Sequence, residues 1–152
     1  MNLRKAVIQD INKILLLCKE QFQVMADLQP YLNQNGEQDK MFIESIITDL
    51  NSDIFIAEEA DEIIGFISVF EKETSDFSFR VKRRYAYVMD IIVTKGFRGN
   101  GIATKLMLMA KNWATEKDLE YIELTVLANN SAKAFYEKIG FEDTVHTMIC
   151  RL

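Results

Sequence analysis

Tyr87-Val88-Met89-Asp90-Ile91-Ile92-Val93-Thr94-Lys95-Gly96-Phe97-Arg98-Gly99-Asn100-Gly101-Ile102-Ala103-Thr104 is the stretch on which the fold turns. An apolar, β-branched run over 85–94 reads as a strand. A loop holding Gly96, Gly99 and Gly101 follows, and a helix runs from about Gly101 to Glu116 with Ile102, Leu106, Met109, Ala110 and Trp113 as its apolar stripe. The first backbone N–H groups of a helix have no internal partner, and the macrodipole leaves positive charge there. Glycines let such a backbone close on a ligand, so the loop suits a phosphate or pyrophosphate. The Walker pattern is excluded, because Ile102-Ala103 stands where Lys-Ser/Thr is required. The dinucleotide fingerprint is excluded too, since these glycines are spaced G-x-x-G-x-G and lie late in the chain. What remains is Arg-x-x-Gly-x-Ala, from Arg98 to Ala103.

Working outward, residues 54–58 and 63–70 are β-rich runs joined by a turn at Asp61-Glu62, which predicts an antiparallel hairpin. Upstream, a strand is expected over 3–7. Asp10 then caps a helix whose apolar residues fall at Ile11, Ile14, Leu15, Cys18, Phe22 and Met25. A polar loop over 29–38 leads to a second helix from Asp39, with Phe42, Ile43, Ile46, Ile47 and Leu50 on one side. Downstream, strands are expected over 121–127 and 144–152, with a short helix over 131–139 between them. Met41, Met107 and Met109 fit helical core packing. A helical crossover implies parallel pairing beside the antiparallel hairpin. The expected fold class is therefore α/β, a mixed sheet flanked by helices.

Composition bounds the function. With 152 residues, 49% apolar and 27% charged, the chain reads as one domain spanning residues 1–152. No apolar run reaches the ~18 residues of a membrane span, and no signal-peptide pattern opens the chain. Cys18, Cys150 and the single His146 are too few for a disulfide framework or a zinc site, so no metal is expected and a cytoplasmic setting is. Cys18 reads as core, His146 as a surface residue and Cys150 as a strand residue with no covalent role. A net charge of −5 argues against a nucleic-acid binder. The charge is unevenly spread: residues 1–76 hold six basic and fifteen acidic side chains, residues 77–152 twelve and eight. Between Phe77 and Lys111 eight basic residues stand against one acid, Asp90, which suits an anionic ligand held by the second half.

A second block sharpens the reading. Leu124-Thr125-Val126 is followed by Asn129, Ala132, Tyr136 and Gly140-Phe141. Together with Arg98-Gly99-Asn100-Gly101-Ile102-Ala103, this resembles the GNAT superfamily of N-acetyltransferases, in motif register and in element order along essentially the whole chain. The resemblance implies a V-shaped splay between two parallel strands, 85–94 and 121–127. It implies acetyl-CoA as co-substrate. Backbone groups of Ile91, Ile92 and Val93 would pair with the pantetheine arm, and the N–H groups of Arg98, Gly99, Asn100, Gly101, Ile102, Ala103 and Thr104 would hold the pyrophosphate. Asn129 would orient the pantetheine from the other wall, and Tyr136 would meet the leaving thiolate. For the base, Asp90 is the first candidate, because a lone acid among Val88, Met89, Ile91 and Ile92 is costly unless it is paired or functional. Glu123 and Glu58 are alternatives. The implied reaction is direct acetyl transfer to a primary amine of a small molecule or peptide, with a homodimer as the expected assembly. The competing reading is a non-catalytic acyl-CoA-binding or sensing module.

Overall fold

The computed structural model describes residues 1–152. Its elements run β1 (Asn2–Lys5), a 3-10 turn (Ile8–Asp10), α1 (Ile11–Leu28), α2 (Lys40–Thr48), β2 (Ser52–Glu59), β3 (Glu62–Glu73), β4 (Arg84–Val93), a second 3-10 turn (Lys95–Phe97), α3 (Ile102–Glu116), β5 (Ile122–Leu124) and α4 (Ala132–Lys138). The five strands form one sheet in the order β1-β2-β3-β4-β5. The first three pairings are antiparallel and β4–β5 is parallel, which is the expected mixed sheet. No helix is long and apolar enough to cross a membrane.

Each face of the sheet carries its own core. On one, Phe55, Ala57, Ile67, Val69, Ala86 and Val88 meet the α3 stripe of Ile102, Leu106, Met107, Ala110 and Trp113. On the other, Ile54, Ile56, Phe66 and Ile92 meet Ile11, Ile14 and Cys18 of α1 and Ile43 and Ile46 of α2. Alternation along a strand sends neighbours to opposite faces. In β4 that alternation shifts phase. Asp90 pairs with Ser68 but Val88 pairs with Val69, so Met89 is an extra, bulged residue. Ala86 and Val88 therefore face α3, whereas Ile92 faces α1. The bulge is what carries Asp90 to the α1 side. Gly65 allows close packing beside it, because a Cβ there would lie 2.7 Å from the Ile92 carbonyl oxygen.

Several expectations are corrected. No strand forms over 144–152: this segment is exposed and its backbone makes no hydrogen bond to the sheet. It meets no partner strand. Instead Arg151 lies over the Tyr31 ring, 3.6 Å from its centroid. The strand expected over 121–127 is only Ile122–Leu124, because β4 and β5 part there. Asp10 does not cap α1 with its side chain. Its carboxylate is gripped by Arg4 at 2.7 and 3.0 Å and accepts from the Val7 N–H at 2.8 Å. Met41 is exposed rather than core, while Met107 is buried and Met109 partly so. Asp39 does cap α2, accepting from the Met41 N–H at 3.0 Å.

Candidate active site

Only three residue pairs join β4 to β5: Ala86 with Ile122, Tyr87 with Glu123 and Val88 with Leu124. Past Val88 the outer edge of β4, from Met89 to Val93, has no strand beside it. Strand backbone groups demand partners, so an unpaired edge inside a cleft is a template for an extended ligand. The parting coincides with the bulge at Met89, where the added twist turns β4 away.

At one end of this edge stands the glycine loop. Gly101 caps α3 with φ +74° and Gly99 holds φ +80°, both in the left-handed region that glycine occupies at little cost. The first helical bond of α3 runs from the Lys105 N–H to the Gly101 carbonyl at 3.1 Å. The amides of Gly99, Asn100, Gly101, Ile102, Ala103 and Thr104 therefore have no acceptor within the chain. Six unpaired donors at a helix N-terminus, with open space over both glycines, make an anion cradle that fits a pyrophosphate.

Arg98 belongs to this loop differently from the other six. Its own N–H turns back to the Lys95 carbonyl at 3.5 Å. Its Nε donates to the Val93 carbonyl at 2.8 Å and its Nη2 lies 3.4 Å from Glu20 of α1. Glu20 also accepts from the Lys95 N–H at 3.3 Å. The guanidinium thus braces the loop against the end of β4 and against α1. Glu20 carries no motif, and nothing in the sequence singled it out. A hollow of about 470 Å³ lined by Lys19, Glu20, Asn35, Lys95 and Arg98 lies on this α1 side of the loop. A second, of about 380 Å³, is lined by Asn129, Asn130, Ser131 and Lys133 on the opposite wall. Both flank the splay rather than fill it.

Asp90 sits in the crook of the bulge. Ser68, fully buried, donates from Oγ to its Oδ2 at 3.1 Å and accepts from its backbone N–H at 3.1 Å. Burial pushes the Asp90 carboxyl above the usual carboxylate range, opposed by hydrogen bonds from Ser68 and Gln21. Gln21 keeps its Oε1 buried without a partner. Ser68 was legible as the lone hydroxyl in the apolar run of β3, but only the β3–β4 register brings it to Asp90. Burial, with a smaller contribution from Asp90, pushes the Cys18 thiol up to about 12, consistent with a core cysteine.

Tyr136 of α4, the helix that follows β5, packs edge-on to Phe141, with ring centroids 5.9 Å apart, and against the α3 core. Burial pushes its hydroxyl up to about 12. Like an unperturbed phenol it is protonated at neutral pH and can donate a hydrogen bond. Asn129 is tied to the end of α1: its Nδ2 donates to the Leu28 carbonyl at 2.6 Å and its Oδ1 accepts from Gln29 at 3.2 Å. Glu123 is exposed on the α1 side of β5, level with Tyr87. Glu58 is not free to act. Arg4 pairs with it at 3.0 Å and holds its carboxyl below the usual range, far along the sheet on β2. His146 and Cys150 lie in the exposed terminal segment.

The profile of the Acetyltransferase (GNAT) family matches residues 12–141. An uncharacterized N-acetyltransferase of Archaeoglobus fulgidus is 26% identical over 137 residues, covering 90% of this chain and 89% of its own. Among solved structures, a tetramutant of the BH1408 protein of Bacillus halodurans superposes with a TM-score of 0.92 over 100% of both chains at 20% identity. A protein of Clostridium acetobutylicum, described as a predicted acetyltransferase and solved with acetyl-CoA, gives a TM-score of 0.76 at 24% identity, covering 99% of this chain and 95% of its own. At such identities the two structures speak for the fold alone.

Proposed function

Because the chain belongs to the acetyltransferase (GNAT) family, we propose that it moves the acetyl group of acetyl-CoA to a primary amine by direct attack in a ternary complex. The observation that carries this reading is the coincidence of an unpaired β4 edge and six free amides at its end. The free amides of residues 99–104 would hold the pyrophosphate, with Arg98 bracing the loop that presents them. The outer edge along Ile91, Ile92 and Val93 would meet the pantetheine arm as a strand offers its edge, through backbone groups other than the Val93 carbonyl, which accepts from Arg98 Nε. Acetyl-CoA supplies the activated thioester. Asn129 would position the pantetheine from the α4 wall, held by its bonds to α1.

Proton handling falls to two side chains. Asp90, with its basicity increased by burial, takes the proton from the incoming ammonium, directly or through water, and leaves a neutral nucleophile. Tyr136 donates from its hydroxyl toward the departing sulfur. One domain, residues 1–152, performs the whole task, working as a homodimer in the cytoplasm on a small-molecule or peptide amine and needing no metal.

Incubation with acetyl-CoA and a panel of amines, following free thiol and acetylated product, tests the reading. Amine-dependent release is expected, falling about 10²-fold or more in kcat for Tyr136→Phe with little change in acetyl-CoA KM. Tight acetyl-CoA binding without release on any amine would replace the enzyme by an acyl-CoA-binding module.

A further inference from the structure

The acceptor side of the sheet holds a feature that the acetyl-transfer reading leaves unused. Tyr85 and Tyr87 precede the bulge and alternate with Ala86 and Val88, so they emerge on the face opposite α3. In the parallel register Tyr87 lies level with Glu123, and Tyr85 is one step before the Ala86–Ile122 pair, beside Tyr121. The Tyr85 and Tyr121 rings stack with centroids 4.9 Å apart and planes 3° from parallel. Glu123 is close enough to Tyr85 that, after burial, its charge is the main cause raising that phenol. The Lys72 ammonium already sits over the Tyr87 ring, 4.5 Å from its centroid. Within this one molecule, then, an alkylammonium occupies the aromatic face beside an exposed carboxylate.

We propose that Tyr85, Tyr87, Tyr121 and Glu123 form an acceptor platform that takes a linear di- or polyamine, whose non-reacting ammonium displaces Lys72 from the Tyr87 ring and pairs with Glu123. This rests on the acetyl-transfer reading of the cleft, since the reacting nitrogen is placed at Asp90. With Met89 bulged out, Asp90 lies two ladder steps beyond Tyr87, about 7 Å along the strand. An extended chain covers about 3.5 Å per three bonds, so the two nitrogens stand about six bonds apart. Lys72 is a built-in competitor for the seat. Its removal should favour a dication, and the opposite would hold if the platform recognised an anionic acceptor.

The test is thiol release with α,ω-diamines of increasing length, against alkyl monoamines of matching carbon count. The diamine-to-monoamine ratio of kcat/KM is expected to peak near a spacer of about five carbons. Glu123→Gln lowers that ratio about fivefold and Lys72→Met raises it about fivefold. Equal ratios at every length, or a fall with Lys72→Met, overturn the platform while leaving acetyl transfer standing. If no amine releases thiol, the acetyl-transfer reading falls. Calorimetric titration of the same diamines into the CoA-bound protein then decides the platform separately. Glu123→Gln must weaken binding by the same factor, and unchanged affinity overturns it.

Discussion

Replacing Asp90 by Asn should stabilise the protein and disable it. The carboxyl is pushed up chiefly by burial, so its ionised form is disfavoured in the folded chain relative to the unfolded one. Below the unfolded-state value both states hold the proton and nothing is lost. Between the two values the folded state keeps a proton that the unfolded state has released, so stability falls as pH rises. Above the folded value the full penalty is present. Asn is neutral at every pH and removes it. It still accepts from Ser68, and Gln21 can turn its unpartnered Oε1 toward the new amide. Each unit by which a pKa is displaced is worth about 1.4 kcal/mol, and ~1 kcal/mol moves the melting point of a chain this size by about 3 °C. A gain of a few degrees is therefore expected in alkaline buffer, shrinking to nothing in acid below the ordinary carboxylate range. Over the same series kcat should fall about 10²-fold or more. Thermal melts across pH, paired with thiol-release rates, decide the matter. A melting point lowered in alkaline buffer, or full activity, would refute the assignment of Asp90 as a buried proton acceptor.

Other consequences are simpler. Gly65→Ala should cost about 1–3 kcal/mol in chemical denaturation, because the new methyl meets a backbone oxygen at 2.7 Å that cannot step aside; a neutral effect would show that the β3–β4 pair yields easily. Gly101→Ala should lower stability by about 1–2 kcal/mol through its φ of +74° and raise the acetyl-CoA KM, as read by denaturation and steady-state kinetics. A thiol reagent should titrate one cysteine in the native protein, Cys150, and two after unfolding, since Cys18 is buried with its thiol pushed up to about 12.

The segment from β4 through the glycine loop to α3 was legible because three local signals agree there. Its apolar, β-branched run, its glycines and its helical stripe all specify the same boundary. Where local and tertiary signals compete, local reading misled. Residues 125–127 are as β-prone as Leu124, yet the bulge at Met89 removes the neighbour they would pair with. Residues 144–152 were expected as a strand and find no ladder. Asp10 has the chemistry of a cap, but Arg4, brought alongside by β1, holds its carboxylate more strongly than a backbone amide would. Arg98 was expected to offer its backbone N–H to the pyrophosphate, but that N–H turns to the Lys95 carbonyl and its guanidinium is taken up by Val93 and Glu20. Arg98 and Glu20 stand 78 positions apart, and even the nearer pairings, Arg4 with Asp10 and Arg98 with Val93, depend on how the chain turns between them, which no spacing announces.

A crystal structure with CoA tests the central claim most directly. The account predicts pyrophosphate oxygens within hydrogen-bond distance of the amides of residues 99–104, the pantetheine arm along the outer edge of β4 at Ile91 to Val93, and the sulfur beside the Tyr136 hydroxyl. CoA lodged instead in the hollow between α1 and Lys95–Arg98, with the β4 edge left unpaired, would contradict it.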